Sequence, residues 1–273
     1  MLKNRLMTAL LLGIVFVTAL YALTDLLWAL FLLLFIVTGA WEWGGLSGYA
    51  RPGRVLFCGG VLLAGLLLLP GIVATEWIRL WGGMLLVMVS SLFWLLVVPL
   101  WLARGWRLHS RILSALTGAL LLLAPWIALV DLRHIAPEAV LAVVLTVVLA
   151  DSAAYFSGRR FGKHKLAPHI SPGKTMEGLF GALLTVALFA SALCVWLRWS
   201  PWFVVASLAI IILSVMGDLF ESMIKRQAGR KDSGSLLPGH GGVLDRIDGL
   251  TSTLPLVTCY AFLPFYLGLL TMS

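Results

Sequence analysis

Three aspartates toward the end of the chain carry its densest chemistry. Asp218 closes an apolar run in "SVMGDLFESMIKR" (214–226), and Asp245 and Asp248 stand three apart in "LPGHGGVLDRIDGLTSTLPL" (237–256), just ahead of another. Charges beside lipid are costly, and converging carboxylates repel one another unless a cation lies among them. Oxygen donors with no His or Cys at ligand spacing select a hard cation such as Mg²⁺. The residue types therefore predict a metal-assisted site that handles anions.

Neighbouring residues extend that reading. If the helix continues past Asp218, then Ser222 and Lys225 follow at i+4 and i+7 on one face. Glu221 and Lys225 are read as an ordinary i,i+4 ion pair. Gly229, Gly234, Pro238, Gly239, Gly241 and Gly242 break the helix and let backbone approach a ligand closely. His240 is expected to donate to phosphate rather than ligate metal. A second cluster, "ADSAAYFSGRRFGKHKLAPHISPGKTMEG" (150–178), offers Asp151 at the end of an apolar span. A charge at mid-bilayer costs about 2.5–3.5 kcal/mol on insertion scales, which makes such an acid a functional candidate. Gly173-Lys174-Thr175 looks like the tail of a phosphate-binding loop, yet Pro168 stands where that loop needs glycine. Ser171, the backbone near Gly173 and the Lys174 ammonium remain candidate phosphate ligands.

The elements that must hold these residues are membrane helices. The chain has 273 residues, 61% of them hydrophobic and 12% charged, with a mean hydropathy of +1.01. A soluble surface of this size could not be wetted by so few polar side chains. Nine apolar stretches are predicted to cross a membrane, at about 6–23, 26–44, 55–74, 82–103, 112–131, 138–156, 179–197, 202–220 and 250–270. The expected fold is all-α and polytopic, one membrane domain over 1–273. About 1–131 forms an N-terminal helical part, and about 138–273 carries the site, with loops 157–178 and 221–249. The first span is read as uncleaved, because no small-residue cleavage site leads into a polar chain.

Charge sets the expected orientation. With the N-terminus inside, 17 of the 20 Lys and Arg face the cytoplasm, and only Arg79, Arg133 and Arg198 face the other side. The formal net charge of +8 then faces anionic headgroups, and no soluble basic domain exists to carry nucleic acid. Cys58, Cys194 and Cys259 fall in apolar spans without metal-ligand spacing and read as inert thiols. Seven of the 12 acidic residues lie between 151 and 248, so chemistry is expected at the two cytoplasmic loops.

The stretch "SMIKRQAGRKDSGSLLPGHGGVLDRID" (222–248) resembles the signature of the phosphatidate cytidylyltransferases, or CDP-diacylglycerol synthases. The matching positions are Ser222, Lys225, Arg226, Lys231, Asp232, Pro238, Gly239, His240, Gly241, Gly242, Asp245, Arg246 and Asp248. "GDLFES" (217–222) extends the match, and "DSAAYFSGRRFGKHKLAPHISPGKTMEG" and "AWEWGGLSG" (40–48) are similar to further family motifs. Met176 and Gly249 depart from it, where the family more usually has Trp and Ser. The resemblance implies that CTP and phosphatidate give CDP-diacylglycerol and pyrophosphate in phospholipid biosynthesis, in a bacterial-type inner membrane, with a homodimer as a family-level expectation.

On that basis Asp218, Asp245 and Asp248, with Asp151, are expected to hold Mg²⁺ and room for a second cation. Lys225 is expected to join the three aspartates in catalysis. Lys174, Ser171, Lys225, Arg226, His240, Gly241, Gly242 and Arg246 are expected to bind substrate phosphates. Two other readings are weaker. A transporter would need polar groups leading across the first five spans, and the aspartate pattern of a CDP-alcohol phosphotransferase is absent.

Overall fold

The computed structural model describes residues 2–71, 76–236 and 241–266, with side chains over 10–71, 77–236 and 241–262. Helices dominate. In order they are α1 (Leu2–Ala22), α2 (Asp25–Leu46), α3 (Arg51–Leu67), α4 (Glu76–Leu92), α5 (Val98–Arg104), α6 (Arg111–Ile135), α7 (Pro137–Phe161), α8 (Met176–Leu197), α9 (Trp202–Gln227) and α10 (Leu244–Tyr266). A π-helical turn over Phe93–Val97 fuses α4 and α5 into one rod. The extra residue in that turn suits Pro99, which lacks an N–H and would crowd the preceding turn of a regular helix.

Six of these helical rods are long and apolar enough to cross a membrane: α2, 77–104, α6, α7, α8 and α9. The other expected spans also coincide with helices, but α3 has only 17 residues. Large apolar side chains cover the outside, among them Leu56, Val195 and Trp196, each at least three-quarters exposed. In water such a surface would aggregate, whereas in lipid it costs nothing. The chain is an all-α polytopic membrane protein.

Element ends follow local chemistry. The Thr24 hydroxyl accepts from Leu27 N at 3.4 Å and starts α2 after a two-residue link. Ser110 does the same for α6, accepting from Leu113 N at 3.4 Å, and Gly105 stops α5 in the left-handed region at φ 62°. Three helices outrun their expected spans toward the site. α7 continues to Phe161, α9 to Gln227, and α10 begins at Leu244 rather than 250. Polar residues can sit in those end turns because they lie at the edge of the apolar layer.

The expected loop 157–178 is mostly structured as well. It folds as an antiparallel hairpin, β1 (Lys165–Ala167) against β2 (Ser171–Thr175), with Lys165 opposite Thr175 and Ala167 opposite Ser171. "SPGKT" is therefore a strand and not an open phosphate loop. Glu177, in the first turn of α8, binds the entry to the hairpin. Its carboxylate accepts from Lys163 N at 3.0 Å and from His164 N at 3.2 Å, and lies 2.7 Å from His164 Nδ1.

The core is built on tryptophan. Trp43 Nε1 on α2 donates to Ser114 O on α6 at 2.9 Å, and Trp126 Nε1 on α6 donates back to Ala29 O at 3.0 Å. Gly118 leaves the space that the Trp43 indole fills. Around α9, Phe220 is enclosed by Trp94, Phe93 and Trp101, with ring centroids 5.6, 5.9 and 5.3 Å away. That aromatic cage fixes α9 two residues beyond Asp218.

Candidate active site

Two glycines decide how closely the site can assemble. A Cβ on Gly217 would collide with the backbone oxygen of Asp248, and one on Gly249 with the Ser214 hydroxyl. Each glycine adjoins an aspartate, so the tight crossing of α9 and α10 sets Asp218 beside Asp248. α7 and α8 likewise meet through small residues: a Cβ on Gly178 would stand 2.8 Å from the Ala154 carbonyl oxygen. This contact brings Asp151 and the β-hairpin to the same place.

The result is an open acidic cluster. Lys174 reaches from β2 to Asp218, Nζ to Oδ2, at 2.5 Å. Asp151 lies within electrostatic reach of Lys174, Asp218 and Arg246, and Asp248 within reach of Asp218, Asp151 and Lys174. Ser222 Oγ donates to Asp218 Oδ1 at 3.1 Å, which bears out the i,i+4 spacing on α9. Four elements, α7, β2, α9 and α10, thus contribute Asp151, Lys174, Asp218 and Asp248.

Asp245 belongs to a second, closed arrangement. Its Oδ1 takes the Lys225 ammonium at 2.5 Å, while Oδ2 accepts from Gly242 N at 2.8 Å, Ser233 N at 2.9 Å and Ser233 Oγ at 3.0 Å. Lys225 also lies 3.3 Å from Glu221, so the expected ion pair is present but shared. Both Lys225 and Asp245 have side chains no more than 10% exposed. Gly241 takes a positive φ of 79°, and a Cβ there would stand 2.6 Å from Asp245 Oδ2. Lys225 and Gly242, read from the sequence as phosphate ligands, bind Asp245 in this structure, and Gly241 packs beside it. Arg226 is exposed at the end of α9, and Ser171 lies half-buried on β2. His240, with Pro238 and Gly239, lies outside the described residues.

Sequence reasoning missed Glu42 as a participant. Only 6% exposed, it reaches from α2 across to the start of α10. Its carboxylate accepts from Val243 N at 2.9 Å and Leu244 N at 3.0 Å, and at 2.9 Å it shares the one Ser233 Oγ proton with Asp245. A carboxylate on the free N–H groups of a helix start satisfies them and suits the helix dipole. The signal was available: an acid between two tryptophans in an apolar span meets the criterion that singled out Asp151. Glu221, read as the ion-pair partner of Lys225, has a further place at the site. It lines, with Asp248 and Gly217, a cavity of about 20 Å³, room for a single water.

Donor chemistry decides which residues suit a metal. Asp151, Asp218 and Asp248 offer the oxygen-only, multiply charged set that hard divalent ions prefer, and the single Lys174 ammonium on Asp218 offsets only part of that charge. Asp245 does not suit it, being saturated by Lys225 and three N–H or O–H donors. Among the described residues no three His, Cys, Asp or Glu side chains stand close enough to chelate an ion in this arrangement.

The cluster gathers carboxylates and a lysine-bearing hairpin at helix ends of a membrane protein, the charged groups that phosphate chemistry calls for. Residues 3–263 match the Cytidylyltransferase family. A phosphatidate cytidylyltransferase of Pseudomonas aeruginosa is 39% identical, covering 93% of this chain and 95% of its own length. One from Haemophilus influenzae is 35% identical over 96% and 99%, and one from Staphylococcus epidermidis 48% identical over 41% of this chain and 45% of its own. The chain belongs to the cytidylyltransferase family.

Proposed function

We propose that the protein transfers the cytidylyl group of CTP to phosphatidate. A phosphatidate oxygen forms a bond to the α-phosphorus of CTP, the bond from that phosphorus to the β-phosphate bridge oxygen breaks, and pyrophosphate leaves. The nucleophile is already an anion, so the site needs no strong base. Its task is to bring two mutually repelling phosphates together. The single observation that carries this reading is the meeting of Asp218, Asp248 and Asp151 with Lys174, in a chain similar to phosphatidate cytidylyltransferases over nearly its whole length.

Each residue then has a role. Lys174 can move from Asp218 to an incoming phosphate, and Arg246, within reach of Asp151, adds a second cationic charge. Asp218 and Asp248, once drawn together with Asp151, would hold one Mg²⁺, which when bound supplies charge neutralisation for the polyphosphate. The Glu42 and Asp245–Lys225 contacts keep the start of α10 in register so that Asp248 faces Asp218.

The test is direct. Purified protein in detergent, given Mg²⁺, CTP and phosphatidate, is expected to release pyrophosphate and form CDP-diacylglycerol, with neither product when one substrate is left out. No pyrophosphate under those conditions refutes the reading. Orientation is part of the same proposal: the basic end, with the hairpin and the α9–α10 segment, faces the cytoplasm of a bacterial inner membrane. The support is the 17-to-3 partition of Lys and Arg over the expected spans. A cysteine placed at Lys165 is expected to react with an impermeant maleimide only once the inner membrane is opened.

A further inference from the structure

On the opposite side of α9 lies a cavity of about 240 Å³, bounded by Leu46, Ser47, Arg107, Leu108, His109, Ser114, Ile224, Gln227 and Ala228. Ile224, Gln227 and Ala228 occupy a different face of the helix from Asp218, Ser222 and Lys225, so this space is separate from the acidic cluster. Among the described residues no carboxylate lines it. We propose that it is a second anion site, which takes a phosphate group carried either by a lipid headgroup or by a small soluble phosphate.

The surroundings are built for that charge. Arg107 and His109 stand at its mouth on the link between α5 and α6, and no ion pair to a carboxylate engages either of them among the described residues. The link is held in place rather than loose. The Trp106 carbonyl accepts from both Trp101 Nε1 at 2.8 Å and Gln227 Nε2 at 2.7 Å, which fixes the backbone next to Arg107. The Ser114 and Ser47 hydroxyls lie 2.6 Å apart, so one donates to the other and the second keeps its proton for a further acceptor. Two residues before Ser47, Gly45 has guanidinium nitrogens of both Arg54 and Arg230 about 3.3 Å from where a Cβ would stand. Two guanidinium groups beside the end of α2 add positive charge near the cavity's Leu46 and Ser47.

Size and polarity narrow the ligand. The cavity falls below the roughly 300–1,000 Å³ of pockets that enclose drug-sized molecules, so a phosphate and its ester linkage suit it better than a whole nucleotide. Leu46, Leu108 and Ile224 give it an apolar wall, and the exposed Trp106 beside it is typical of side chains at the membrane–water boundary. Donors on one wall and aliphatic carbons on the other match a phosphodiester with carbon attached.

Two probes distinguish the sources, on the full chain in neutral detergent. One is inorganic phosphate, followed by its shift of thermal unfolding. The other is phosphatidylglycerol against phosphatidylcholine, supplied in mixed vesicles and followed by native mass spectrometry of the extracted protein. Arg107→Gln with His109→Gln is expected to weaken at least one probe about tenfold, the worth of a charge-assisted hydrogen bond or two, and Ser47→Leu to do the same by filling the space. Loss with phosphate alone assigns a soluble ligand, and loss with phosphatidylglycerol alone a lipid headgroup. Unchanged binding of both probes in both variants overturns the proposal. So does a collapse of CTP turnover in Arg107→Gln/His109→Gln, which would make the cavity part of the active site.

Discussion

The two acidic groups at the α9–α10 crossing draw on the same residue types and solve opposite problems. Around Asp245 every oxygen is met: Lys225 on one side, Ser233 and Gly242 on the other, with Glu42 supporting the same backbone from α2. Around Asp218 and Asp248 three carboxylates share the Lys174 ammonium, brought in on a hairpin. A saturated buried pair holds shape, whereas an under-neutralised cluster at a helix end keeps charge in reserve for a ligand. Separating the two groups lets one chain carry both a rigid frame and a reactive site only three residues apart.

The largest effect is expected from breaking the closed group. Asp245→Asn takes from buried Lys225 its carboxylate at 2.5 Å and leaves it only Glu221 at 3.3 Å, and removal of one partner from a buried ion pair costs about 3–5 kcal/mol. Unfolding in detergent should move to clearly lower temperature, and Asp245→Asn with Lys225→Met should recover much of it. A fully stable but inactive Asp245→Asn protein would transfer Asp245 to the open group.

Next comes the open group itself. Asp218→Asn or Asp248→Asn is expected to lower kcat about 10²–10³-fold, the usual loss when a charge-stabilising group leaves an active site. Thermal unfolding should change less than in Asp245→Asn, since Asp218 is held only by the part-exposed Lys174 and the Ser222 hydroxyl, and Asp248 by the adjacent Gly249 N–H. Titration with Mg²⁺ should show weakened dependence in both variants. A large loss of stability with full residual activity would reverse the assignment of the two groups.

Much of this was legible in the sequence. Apolar runs marked out the helices, and the spacing of Asp218, Ser222 and Lys225 fixed one face of α9. What could not be read was partnership. Nothing local says that Lys225 would turn to Asp245, 20 residues away, or that Glu42 would cross about 200 residues of chain to reach Val243 and Leu244. Such pairings depend on helix packing, which glycines such as Gly217 and Gly118 permit but do not announce. The β-hairpin was hidden for a different reason. "KLA" and "SPGKT" are too short and too rich in Pro and Gly to show strand alternation, and Glu177 holds their entry from outside.

Glu42→Gln tests the frame from the far side. The amide keeps one accepting oxygen for the α10 N–H groups but loses the charge and sets an N–H₂ against a donor. Leaving a buried donor unmet costs about 1–3 kcal/mol. A drop in kcat beyond about tenfold, with KM for CTP little altered, would mean that Asp248 is displaced. If stability falls while kcat holds, Glu42 supports the fold alone.

The smallest expected effect separates the two glycines that let α9 and α10 meet. A Cβ at Gly217 meets backbone, the Asp248 carbonyl oxygen, which can give way only if the helices part. A Cβ at Gly249 meets the end of a side chain, the Ser214 hydroxyl, which can rotate aside. Gly217→Ala should therefore cost about 1–3 kcal/mol as overpacking and lower kcat with it, because the gap it opens lies between Asp218 and Asp248. Gly249→Ala should cost less than about 1.5 kcal/mol, the scale of an off-rotamer side chain, and leave kcat near its starting value. Thermal unfolding and CTP turnover of the two variants, measured side by side, check both. Equal losses in the pair would mean that the crossing as a whole is loose, and that its closeness does not position the aspartates.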